Sequence, residues 1–303
     1  MIARLPRTFR NALLAVTTYT AWFLAAPNSA TAQASQAAAS SPRRSTSGPP
    51  VVTITATDYA FAGPAEIPAG LTTFRLVNNG HTLHHAQIVK LNAGKSAADF
   101  AQAYVTSFGA SGPEHGGRPS WALALGGPAA TDPGQTGEAI ANLEPGNYAL
   151  ICDIVLPDGV PHIKKGMVHA FRVVPSSAPS APEPKADVVI TLKDYSFDLS
   201  APLRAGTQTV RVNNTGRETH TTVLLRLAPG KTAEDFRQWA GTLAGPPPTT
   251  ASGGGVEQMD GGRHAFFTAK LTPGEYALVC FAADSTGKPH LSEHGMMRQL
   301  SVR

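Results

Sequence analysis

Two segments of the chain place a cysteine, a histidine and a methionine at almost the same spacing. Cys152 is followed by His162 after nine intervening residues and by Met167 after four more. Cys280 is followed by His290 after nine and by Met296 after five. Upstream, His84 follows Asn78-Asn79-Gly80, and His220 follows Asn213-Asn214-Thr215-Gly216. One thiolate, two imidazoles and a weak thioether are the donor set of a mononuclear copper site that cycles between Cu(I) and Cu(II). Thiolate and imidazole suit both oxidation states, and a thioether tolerates a long bond. A rigid frame around such donors keeps their rearrangement small, which is what rapid electron transfer needs.

Each residue also has a plainer role to weigh. Cys152 and Cys280 are the chain's two cysteines, and in an exported protein they could form one disulfide. A lone cysteine is also a common buried filler. His84 competes with His85, which alternation sends to the opposite face of a strand. His84 is favoured because His220 falls in register with it, whereas Thr221 aligns with His85. Met297 and His294 compete with Met296 as the fourth donor in the second half. His81, His115, His169 and His264 have no matched partner and are expected at the surface or in loops. Met259 is expected in packing or a loop, as are Asp153 and Asp158 in loops. Lys164 and Lys165 read as solvated charge, or as a docking rim for an acidic redox partner.

These residues sit at matching points of a duplication. Asp58-Tyr59-Ala60-Phe61 is echoed by Asp194-Tyr195-Ser196-Phe197, and Leu143 to Cys152 by Leu271 to Cys280. The repeat length is that of a domain, not of a solenoid unit. The repeated Asp-Tyr-x-Phe is expected to anchor strands by packing. A disulfide would require equivalent interior positions of two folds to meet, which disfavours it. Short β-rich runs punctuated by Gly and Pro predict a sandwich in each half. They include Val51 to Thr57, Thr72 to Val77, His84 to Leu91, Thr207 to Val212, Thr219 to Leu227, Val168 to Val174 and Met297 to Val302. One helix interrupts each half, over Ser96 to Thr106 and Thr232 to Trp239, each opening on Ser or Thr with an acidic residue soon after.

At these residues the chain resembles the cupredoxin family, plastocyanin-like and azurin-like proteins in particular. Val212-Asn213-Asn214-Thr215-Gly216 leading to His220 looks like the strand and turn that carry that family's first copper histidine. Pro145-Gly146-Asn147-Tyr148 running into Cys152 looks like its cysteine strand. His162-Ile163-Lys164-Lys165-Gly166-Met167-Val168 is similar to its His-to-Met loop. The resemblance implies an all-β chain of two cupredoxin-like Greek-key β-sandwiches, each with a short inserted helix and at most one copper. It implies ligands His84, Cys152, His162 and Met167 in the first, and His220, Cys280, His290 and Met296 in the second. The Cys-to-His loops are longer than in most single-domain carriers. In copper nitrite reductases and multicopper oxidases a histidine directly precedes the cysteine and links it to a catalytic copper. Here Ile151 and Val279 hold that place, so no enzyme is expected.

Composition sets the outer bounds. A chain of 303 residues, 42% hydrophobic and 15% charged, with 29 Gly and 25 Pro, suits two turn-rich β domains. Residues 1–32 read as an export signal: Arg4, Arg7 and Arg10, an apolar run from Ala12 to Ala26, and Ala30-Thr31-Ala32 for cleavage. Removing those three arginines lowers the formal charge from +4 to +1, so the basic pI says little about the mature protein. Residues 33–50 form a flexible leader and 175–187 a Pro/Ala-rich linker between domains at 51–174 and 188–303. No basic cluster interleaved with aromatics points to nucleic acid. The expected setting is the periplasm or the exterior, and the expected partner is a redox protein or a copper donor. Copper storage or delivery, and a metal-free binding module, are the alternatives.

Overall fold

The structure is a computed structural model that describes residues 48–111, 117–155 and 158–303. The export segment, most of the leader and His115 lie outside the described residues. Among the described residues no helix is long and apolar enough to cross a membrane.

Alternating burial builds the strands. In β1 (Val51–Thr57), Ile54 and Ala56 turn inward while Val51, Thr53 and Thr57 face out, the period-two pattern of a half-buried strand. The first half continues with β2 (Ala60–Ala62), β3 (Glu66–Pro68), β4 (Gly70–Asn78), β5 (Gln87–Leu91), α1 (Ala97–Ser111), β6 (Ala122–Ala124), β7 (Thr136–Leu143), β8 (Gly146–Ile151) and β9 (Val168–Val174). The second half has β10 (Val188–Lys193), β11 (Ser196–Leu199), β12 (Gly206–Asn214), β13 (His220–Leu227), α2 (Ala233–Ala240), β14 (Thr249–Met259), β15 (His264–Leu271), β16 (Gly274–Val279) and β17 (Met297–Val302). The chain is mostly β with several sheets, as in cupredoxin-like domains.

In the first half, β2, β1, β4 and β7 lie side by side, facing a sheet ordered β3-β9-β8-β5-β6. In the second, β11, β10, β12 and β15 face a sheet ordered β14-β13-β16-β17. The strands β1 and β4 pair in parallel, and so do β10 and β12. Each sandwich closes on its own apolar core: Ile54, Phe74, Leu76, Ile88, Tyr148 and Phe171 in one, Ile190, Val210, Val212, Phe267, Tyr276 and Leu278 in the other. Both helices open on a reciprocal cap. Thr232 accepts from the Asp235 amide and Asp235 accepts from the Thr232 amide, and Ser96 and Asp99 do the same.

The halves do not stand apart on their linker. The strands β7 and β15 pair antiparallel, Ile140 opposite Phe266 and Ala139 opposite Phe267, so one eight-stranded sheet runs through both. Leu71, Ile140 and Phe266 form a small core across that seam. A second seam joins β6 and its following loop to β14. Gly126 N–H donates to Gln258 O (2.8 Å) and Glu257 N–H to Gly127 O (3.0 Å). Arg118 bonds Asp260, whose carboxylate also accepts from Ala124 N–H (3.1 Å).

Several strand limits differ from the sequence-based expectation. The strand predicted from His84 begins at Gln87. His84 sits instead in an isolated bridge to Thr131, with its imidazole buried. The Gly-rich run at Ser252 to Gly255 lies within β14. His264 opens β15 and its Nε2 meets Glu183 (2.7 Å).

Candidate metal centres

At one end of the first sandwich, three segments bring their side chains to a point. His84 comes from the turn before β5, Cys152 from just beyond β8, and His162 opens a short 3-10 turn over His162–Lys165. All three are fully buried. The Cys152 Sγ lies 3.4 Å from His162 Nδ1 and 4.0 Å from His84 Nδ1, and the two Nδ1 atoms are 3.1 Å apart. In the second sandwich, Cys280 Sγ lies 3.4 Å from His290 Nδ1 and 3.7 Å from His220 Nδ1, and those nitrogens are again 3.1 Å apart. Neither cysteine is in a disulfide.

The hydrogen bonds leave these atoms as donors toward a cation. Asp58 Oδ1 is 2.7 Å from His84 Nε2. Burial opposes ionisation of Asp58, but the His81 amide, the His84 and His81 rings and the Thr82 hydroxyl outweigh it and hold its pKa well below the carboxylate range. An ionised Asp58 accepts a hydrogen bond from Nε2–H, which leaves the Nδ1 lone pair pointing inward. Asp194 stands in the same place beside His220 Nε2, at 3.4 Å. Burial pulls the His162 and His290 pKa values down to about 4, with the facing imidazole adding to the effect. Both rings are therefore neutral at pH 7. Two inward lone pairs 3.1 Å apart repel unless a proton or a cation lies between them, and a nearby sulfur selects a thiophilic cation.

The methionines take matching places. Met167 is fully buried in the core cluster of Cys152, and Met296 in that of Cys280. Cys152 N–H donates to Met167 O (3.3 Å) and Met167 N–H to His162 O (3.1 Å). Cys280 N–H donates to Met296 O (3.1 Å) and Met296 N–H to His290 O (2.8 Å). The extra residue in the second loop is thus absorbed before Met296. The competitors lie elsewhere: Met297 begins β17, and His294 turns its Nε2 to Asp284 (2.9 Å).

The two groups fit a tandem cupredoxin arrangement. Two His–Cys–His sites of this kind support copper binding. No family model matches the chain, and no curated protein matches it. Among solved structures it is similar to auracyanin A, a "blue" copper protein from the green thermophilic photosynthetic bacterium Chloroflexus aurantiacus, at 22% identity over 43% of this chain and 100% of that one, with a TM-score of 0.29. It is similar to an azurin from the obligate methylotroph Methylomonas sp. strain J, at 13% identity over 42% of this chain and 98% of that one, TM-score 0.29. It is also similar to a multicopper oxidase, at 15% identity over 84% of this chain and 88% of that one, TM-score 0.24.

The cupredoxin-like sites have neighbours that spacing did not reveal. The repeated Asp-Tyr pair, expected to pack strands, instead serves the sites. Asp58 and Asp194 bind the upstream histidines, while Tyr59 and Tyr195 lie against the outer ones, ring centroids 4.7 Å from His162 and 5.1 Å from His290. Their recurrence 26 residues before each histidine was the available signal. Lys165 is not free solvated charge: its Nζ meets Asp158 (2.6 Å) and the Tyr59 hydroxyl (3.3 Å). His85 and Asp153 face away from the donor group into the second seam, 2.7 Å apart, with the Tyr104 hydroxyl on the other Asp153 oxygen. Met259 is a packing residue, buried against the second core.

Proposed function

We propose that this chain is an exported copper protein that carries single electrons, with one mononuclear site in each of two domains at 51–174 and 188–303. The observation that carries the proposal is the convergence, twice, of two imidazole Nδ1 atoms and a cysteine sulfur within 4.0 Å in a buried pocket. Copper held there supplies one-electron chemistry between Cu(I) and Cu(II). His84, Cys152 and His162, with Met167 beside them, would hold it in the first domain. His220, Cys280 and His290, with Met296, would hold it in the second. The sandwich fixes these donors by main-chain bonds on both sides of each loop, so little moves when the charge changes. Periplasmic or secreted placement rests on the signal-like start of the sequence, and the partner is a one-electron carrier.

Two features favour a carrier over the other functions. Storage and delivery call for exposed ligands that exchange metal, whereas all six donors here are fully buried. A linked catalytic copper calls for a histidine before the cysteine. Ile151 and Val279 instead pack into apolar clusters under the helices, with Phe100 of α1 and Phe236 of α2.

A copper titration of the purified protein, with Cys152→Ser and Cys280→Ser beside it, tests this. The expected result is two coppers per chain with intense thiolate-to-copper absorption and a type 1 electron paramagnetic resonance signal. Each variant should lose one of the two signals. Copper bound without colour would favour storage or delivery, and no copper retention would leave a binding module.

A further inference from the structure

Both outer histidines are closed off from solvent without a hydrogen bond at their far nitrogen. The Nε2 atoms of His162 and His290 are buried and have no polar partner among the described residues. A tyrosine covers each ring instead. The Tyr59 ring lies 4.7 Å from the His162 ring, tilted by 60°, and the Tyr195 ring lies 5.1 Å from the His290 ring, edge to face at 82°. Both tyrosines are half-buried, in contact with the imidazole and with solvent. Tyr195 holds a φ of +69°, a left-handed conformation that a bulky residue adopts only where its surroundings dictate it.

A pair of residues from the loop between cysteine and methionine clasps each tyrosine. Lys165 Nζ lies 4.4 Å from the Tyr59 ring centroid, 3.3 Å from its hydroxyl and 2.6 Å from Asp158. The His294 ring stacks on Tyr195 at 3.8 Å and 14°, and its Nε2 is 2.9 Å from Asp284. Asp284 is itself fixed by the Thr286 hydroxyl (2.7 Å) and the Lys288 amide (3.0 Å). The two clasps differ in residue type and in register. The acid lies six residues after Cys152 but four after Cys280, and its partner three residues after His162 but four after His290. Similar covers built from unlike residues at unlike positions are not a by-product of the repeated sequence.

The shell around a metal site decides what solvent reaches the metal. Water or a small anion that binds Cu(II) and leaves on reduction enlarges the rearrangement and slows electron transfer. A neutral aromatic ring over the ligand imidazole excludes such groups, while an electron can still cross it. Stacking and cation–π attraction hold the ring in place at no cost in buried charge, because the clasp lies on the solvent side, where Lys165 and His294 keep part of their surface exposed.

On the electron-carrying reading of these sites, we propose that Tyr59 and Tyr195 are roofs that close each centre to water, small anions and other groups able to bind the metal, so that only electrons cross. The Lys165–Asp158 and His294–Asp284 pairs hold the roofs down. The tyrosines are positioning residues: they act on the metal through the histidines they cover. A one-electron partner exchanges its electron across the roof, and a substrate that must bind copper directly is shut out.

The test begins on the full chain without copper, by the rate at which iodoacetamide labels each buried thiol. In the Cys280→Ser background, Cys152 should react roughly tenfold faster or more in Tyr59→Ala, and near the parent rate in Tyr59→Phe, which keeps the ring. Lys165→Met keeps the tyrosine and removes its clasp, so it should raise the rate by a smaller factor. Tyr195→Ala and Tyr195→Phe read the second roof through Cys280 in the Cys152→Ser background. An unchanged thiol rate in Tyr59→Ala would overturn the roof, as would an unchanged rate in Lys165→Met should Tyr59→Ala lose the cooperative melt of its parent. With copper loaded, azide should leave the type 1 signal of the parent intact and alter that of Tyr59→Ala. Azide binding in the parent would also overturn the roof. A parent that takes up copper without a type 1 signal would overturn the electron-carrying function, and the thiol rates would then judge the roof by themselves.

Discussion

An imidazole offers a metal whichever ring nitrogen its neighbours leave free. For His84 that choice belongs to Asp58, because the carboxylate at 2.7 Å accepts the hydrogen bond of Nε2–H and leaves Nδ1 facing Cys152 and His162. Removing such an orienting partner from a metal-binding histidine typically costs 10–100-fold in affinity. Asp58→Ala should therefore weaken copper at the first centre by roughly 10–100-fold, measured by competition with a chelator in the Cys280→Ser background. Asp194→Ala, tested in the Cys152→Ser background, should cost less, since its contact to His220 is 3.4 Å. Equal affinities for Asp58→Ala and its parent would show that the loop alone fixes the His84 tautomer.

At the scale of elements, the upstream histidine of each site depends on a backbone crossing that admits no side chain. Two residues beyond His84, the Ala86 carbonyl lies against Gly127, where a Cβ would come within 2.1 Å of the oxygen. Two residues beyond His220, the Thr222 carbonyl lies against Gly255, where a Cβ would come within 2.0 Å. Both glycines also hold φ values, +122° and +150°, that other residues rarely adopt. Gly255→Ala should push β13 away from β14, destabilise the apoprotein by about 1–3 kcal/mol and loosen the second centre before the first. Thermal melts and copper stoichiometry would check this. An unchanged melt would mean that the crossing has room to relax.

The molecule as a whole holds its halves by more than the linker. A shared sheet through β7 and β15, the Leu71–Ile140–Phe266 contact and the Arg118–Asp260 pair together form two seams. Residues 175–187 carry none of the helices or strands. Limited proteolysis within them should therefore leave two fragments that still run as one particle in size-exclusion chromatography and melt together. Separation of the fragments would show that the linker, not the seams, sets the pairing. Fixed seams also hold the two centres at a constant separation, which a flexible linker could not do.

The sequence by itself pointed to a donor set. Cysteine, histidine and methionine at nine-residue and four- or five-residue spacings, repeated in two halves, left few other arrangements in which each type would be useful. Periodicity and turn residues also marked the strands around them and the two capped helices. Local signals ended where side chains act across distant segments. Asp58 looked like a packing residue because nothing nearby in the chain shows that it meets a histidine 26 positions later. The pairing of β7 with β15 was hidden because both strands read as ordinary half-buried strands, and an edge does not name its partner. Met296 could not be separated from His294 and Met297 by counting, since loop length does not say where a loop absorbs its extra residue. The tertiary structure favours Met296 by tying its main chain to Cys280, through the Cys280 N–H bond to Met296 O.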